Sequence, residues 1–64
     1  MGEVIKLLKQ IDRDNIKSGY SSGHYDLEGC VIELLDQLDM HIQISGCEVE
    51  SCVRKDAIMT YLHT

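Results

Sequence analysis

From Glu3 to Ile16 the apolar residues Val4, Ile5, Leu7, Leu8, Ile11 and Ile16 recur at helical spacing, which gathers them on one side of a helix. Lys6, Lys9, Arg13 and Lys17 follow intervals of three and four and share a second stripe, toward solvent. The pattern predicts one amphipathic helix over about residues 3–17. Its basic side suits an acidic surface, within the chain or on another copy.

A stronger periodicity follows. Leu27, Val31, Leu34, Leu38, His41 and Ser45 step by four and three, and Cys30, Ile32, Leu35 and Ile42 widen the apolar face. This predicts a second helix over about residues 24–44. A face that broad exceeds what one neighbouring helix covers, so Leu27, Val31, Leu34, Leu38 and Ile42 are expected to serve both the core and a contact between copies.

After Met40 two patterns compete. Ser45-Gly46-Cys47-Glu48 fits a capping box, with Ser45 bonding a helical N–H and Glu48 reaching back. It would open a third helix over about 46–63 that buries Val49, Cys52, Val53, Ala57, Ile58 and Tyr61 or Leu62. The same region alternates from Met40 to Ser45, and Gly46-Cys47 reads as a two-residue turn, which describes an α+β alternative with a hairpin at about 40–53. Ile42 also continues the helical series of Leu34, Leu35 and Leu38, so the preferred fold class is all-α, a small three-helix domain spanning residues 1–64.

Between the first two helices lies KSGYSSGHYD, Lys17 to Asp26, with no apolar period, two of the three tyrosines and two of the five glycines. Ser21 or Ser22 is expected to cap the following helix and the glycines to turn the chain. As a ligand loop, its backbone and hydroxyls would cradle an anion at a helix N-terminus. Arg13 and Lys17 would supply counter-charge, Tyr20 or Tyr25 would stack on a base, and Ser18, Gly19, Tyr20, Ser21, Ser22, His24 and Tyr25 would form the wall. The Gly-Lys-Ser/Thr ending of a P-loop is missing, and Asp26 and Glu28 compete for the same helix end.

Composition narrows the classes. Sixty-four residues bury only about 60% of the surface their unfolded chain exposes, and small domains recover the deficit with disulfides, metal or association. Cys30, Cys47 and Cys52 are an odd set, no signal peptide is evident, and the expected setting is cytoplasmic with reduced thiols. The apolar fraction is 44% with no Trp or Phe, so the core is built from Leu, Ile and Val.

The net charge of −5 is unevenly placed: residues 18–46 hold Asp26, Glu28, Glu33, Asp36 and Asp39 and no Lys or Arg. An acidic middle repels a phosphate backbone, which argues against DNA or RNA. His41, Cys47, Cys52 and His63 are zinc-ligand types at unsuitable spacing. Ser21, Ser22, His24 and Asp26 lack the scaffold a catalytic triad needs.

The expected protein is therefore non-enzymatic, without metal, cofactor or membrane span, and homo-oligomeric. It would act as a regulatory or inhibitory protein by binding another protein, with Glu33, Asp36 and Asp39 steering the partner and Tyr20 and Tyr25 as contact anchors. The alternative is a protein that binds or sequesters a nucleotide or other phosphate ligand through the 17–26 loop.

Overall fold

The structure, a computed structural model, describes residues 2–63. It contains four helices: α1 (Gly2–Leu8), α2 (Arg13–Ser21), α3 (Leu27–Ser45) and α4 (Ser51–Leu62). The all-α class holds, but the first helix expected over 3–17 is two, so the three-helix count is corrected to four.

The break has a local cause. After Leu8 the ladder tightens, with Gln10 N–H donating to the Leu7 carbonyl at 3.0 Å and Ile11 N–H to Leu8 at 3.1 Å. Asp12 then caps α2, its carboxylate accepting from the Asn15 backbone N–H at 3.4 Å and from the Asn15 side chain. In one straight helix Ile16 would lie about 140° around the axis from Ile11. The turn at 9–12 lets both be buried, beside Val4, Leu7 and Leu8.

The longest helix, α3, packs against each of the other three. Its Cys30, Val31, Leu34 and Leu38 meet Ala57, Ile58 and Tyr61 of α4 and the buried residues of α1 and α2 in one core. Leu27 and Ile42 are only half-buried. Cys30 points its thiol at the Ile16 carbonyl, 3.7 Å away, and the Arg13 guanidinium lies over the Tyr61 ring at 4.4 Å from its centroid, a cation–π contact between α2 and α4.

No strand occurs among the described residues, so the hairpin at 40–53 is not formed; the alternation from Met40 to Ser45 falls on the last turns of α3. Nor is the capping box at Ser45 used. Gly46 ends α3 in the left-handed region at φ 74°, with its N–H donating to Ile42 at 2.8 Å, a conformation that favours glycine. Residues 47–50 cross to α4, whose N-cap Glu50 makes no side-chain capping bond.

Arg54 secures that junction. It donates to the Val49 carbonyl at 2.8 Å and to the Ser51 hydroxyl at 2.9 Å and pairs with Asp39 of α3 at 3.2 Å. Cys47 adds a tie to α1, its thiol 3.1 Å from the Glu3 carboxylate. Cys52, expected inside, is exposed, because α4 turns Ala57, Ile58 and Tyr61 inward. Among the described residues no helix is long and apolar enough to cross a membrane.

Candidate functional site

The structure makes most of residues 17–26 helix and turn. Lys17 to Ser21 belong to α2, and only Ser22 to Asp26 connect it to α3. One carbonyl organises the connection: Gly19 accepts from the His24 N–H at 2.8 Å, the Tyr25 N–H at 3.1 Å and the Ser22 hydroxyl at 3.3 Å. Gly23, at φ 84°, reverses the chain.

Tyr25 folds back over α2. A Cβ added to Gly19 would stand 2.5 Å from Tyr25 Cδ2 and 2.6 Å from Cε2, so the ring occupies the space that the missing side chain leaves. The cap of α3 is Asp26, not Ser21 or Ser22: its carboxylate accepts from the Gly29 N–H at 2.6 Å. An oxygen anion bound at this helix end would take that same position, which Asp26 fills from within the chain.

Arg13 is engaged with Tyr61 and Lys17 is half-buried. Ser18, Tyr20, Ser21 and His24 stand at the surface. Of the residues proposed for a ligand wall, the structure therefore joins Gly19, Ser22 and Tyr25 in a clasp that closes the turn.

The acidic row is likewise partly committed. Asp39 holds Arg54 and Glu33 accepts from the Gln37 side chain at 3.3 Å, leaving Asp36 exposed. Among the described residues no three His, Cys, Asp or Glu side chains stand close enough to hold a metal ion.

Two thiols are perturbed. Burial pushes the Cys30 thiol up, with the Asp26 charge adding to it; the hydrogen bond to Glu3, followed by partial burial, pushes Cys47 up. Both favour the neutral thiol over the nucleophilic thiolate.

The apolar surfaces lie elsewhere, on α3. A groove of about 440 Å³ between α3 and α4 is lined by Leu27, Val31, Ile32, Leu35 and Met59, with Glu28 and Lys55 at its edge. A second surface is the ridge of Gln37, Met40, His41 and Ile44, spaced i, i+3, i+4, i+7 on one helix face. Met40 is 62% exposed, Ile44 84% and Ile32 53%.

At about 100° per residue the groove wall and the ridge lie roughly 160° apart around α3. One two-fold contact centred on either therefore leaves the other uncovered. Sequence periodicity placed Ile32 and Leu35 on the broad apolar face but left Met40 and Ile44 in the candidate hairpin. Their i, i+4 spacing, off the Leu34–Leu38 line, is the signal that marks the ridge. No protein-family model, curated protein or solved structure matches the chain.

Proposed function

We propose that this chain is a binding protein without catalytic activity, acting through the surfaces of α3, and that the Met40–Ile44 ridge joins it to a second copy of itself. The observation that carries the reading is two large apolar side chains, 62% and 84% exposed, one helical turn apart on a patch without a formal charge.

The patch suits its own image. In an antiparallel two-fold pairing of α3 helices, Gln37 faces Ile44 of the other copy and Met40 faces His41, so apolar and neutral polar groups meet and no carboxylates are opposed at the centre. The remaining surface is acidic and repels a copy at longer range, the chain carrying −5 in all. Salt screens that repulsion.

Association does not have to complete the core. The surface of 4272 Å² is close to the roughly 4,200 Å² expected of a monomer of this size, so pairing adds a function to a closed fold. The exposed apolar ridge and the α3–α4 groove support a regulatory or inhibitory role exercised by contact.

Sedimentation equilibrium tests the reading. The expected result is a dimer at high micromolar concentration that tightens as salt is raised, and a monomer with unchanged helicity for Ile44→Ser. A wild-type monomer throughout that range, or a dimer indifferent to Ile44→Ser, overturns it.

A further inference from the structure

We infer that the α3–α4 groove is the docking site for a basic amphipathic helix of a different protein. The inference deepens the binding role proposed above but uses a separate surface, so either can fail alone.

The groove has the shape and chemistry for a helix-borne apolar ridge. Its floor and walls are aliphatic side chains and a methionine, and methionine adapts its shape to what it receives. Its volume of about 440 Å³ lies within the range of pockets that bury a compact ligand. Ile32, on its outer lip, is 53% exposed and supplies an apolar contact without being needed to close the core. Helix-in-groove recognition uses such a trough with anchors at i, i+3, i+4 and i+7 on the incoming helix.

Charge selects the occupant. Glu28 lines the groove on α3, exposed Asp36 follows Ile32 by one turn, and α3 carries no Lys or Arg. Lys55 is the cation on the α4 side.

A second copy of this chain is a poor occupant. Among the described residues its exposed large apolar side chains are Tyr20, Tyr25, Ile32, Met40 and Ile44. The one pair of these that forms a helical ridge, Met40 and Ile44, sits on the same acidic helix and would bring Asp36 and Glu33 toward Glu28. A partner whose apolar ridge is flanked by Lys or Arg meets attraction instead.

Lys55 also gives direction. Arg54 meets Asp39, and α4 runs back along α3, so Lys55 marks the Leu35 end of the groove and Glu28 the Leu27 end. A docked helix with its cations toward Glu28 and an acid toward Lys55 is fixed in orientation.

The test uses the full chain and two designed helical peptides with leucines at i, i+3, i+4 and i+7, one with lysines on the remaining positions and one with glutamates, titrated by fluorescence anisotropy. The lysine peptide is expected to bind at least about tenfold more tightly than the glutamate peptide and to weaken with salt, opposite to the self-association above. Ile32→Ser, which leaves every charge in place, is expected to cost at least about tenfold with the circular dichroism unchanged. Glu28→Lys is expected to shift preference toward the glutamate peptide, and Ile44→Ser to leave peptide binding as it was.

Three outcomes overturn the proposal. They are equal binding of the two peptides, indifference to Ile32→Ser, and loss of self-association in Ile32→Ser, which would assign the groove to a second copy.

Discussion

Gly19→Ala is the sharpest probe of the α2–α3 turn, because two opposing effects of known size meet there. Gly19 lies inside α2 with a negative φ, so alanine fits the backbone and gains about 0.5–1 kcal/mol of helix propensity. Its methyl group, however, would stand 2.5 Å from Tyr25 Cδ2. The Tyr25 N–H is bonded to the Gly19 carbonyl at 3.1 Å, and Gly29 packs on the other side of the residue, so the ring can retreat only by giving up its seat. Overpacking of this kind costs about 1–3 kcal/mol, and the balance is a loss of about 1 kcal/mol, or roughly 4–8 °C in Tm for a domain this small.

Removing the ring reverses the sign. In a Tyr25→Ala background the methyl meets open space, and Gly19→Ala should stabilise by about 0.5–1 kcal/mol. Urea titrations of the four proteins in this cycle, followed by circular dichroism, measure the coupling. If Gly19→Ala has the same sign in both backgrounds, Tyr25 does not clasp α2, and the tyrosine returns as a free contact anchor.

The remaining predictions concern the thiols and one cap. Alkylation of the native protein near neutral pH should modify exposed Cys52 first, Cys47 more slowly and Cys30 last; Glu3→Gln should accelerate Cys47, because the carboxylate that holds the proton is gone, and a Cys30 that reacts as fast as Cys52 would refute its burial. Since Cys30 and Cys47 titrate higher in the folded chain, the unfolded chain loses those protons first as pH rises. Stability should therefore fall above about pH 8.5, and Cys30→Ala with Cys47→Ala should flatten that fall in urea midpoints measured against pH. Gly46→Ala should cost about 1–2 kcal/mol, because an L residue is forced to φ 74°, with Gly46→Asn milder; equal stability of both variants in thermal melts would count against the left-handed cap.

The α3 helix was legible because Asp26 and Glu28 at its start agree with a long apolar series, whereas Gly46, which ends it, was read as the opening of the next element. The break at 9–12 was less legible, since the apolar positions on either side continue at nearly helical spacing. The Asp12–Asn15 pair was its local mark, and the burial of both Ile11 and Ile16 its tertiary reason. The start of α4 was misplaced because Ser45-Gly46-Cys47-Glu48 satisfies the capping pattern, while Arg54 binds Val49 and Ser51 from inside the helix.

By itself, the sequence favoured the all-α class over a hairpin after Met40 and determined the placement of the core residues Val31, Leu34 and Leu38 and the acidic character of α3, since periodicity and charge are written in local order. Tertiary structure decided what that order leaves open. It laid one edge of the Tyr25 ring against Gly19 of α2, a contact that local order does not announce, and it paired Asp39 with Arg54 across a turn. It also left Ile32, Met40 and Ile44 outside the core. A helix face is apolar by sequence, but which part of it stays uncovered depends on how many neighbours arrive and at what angle, and packing alone settles that.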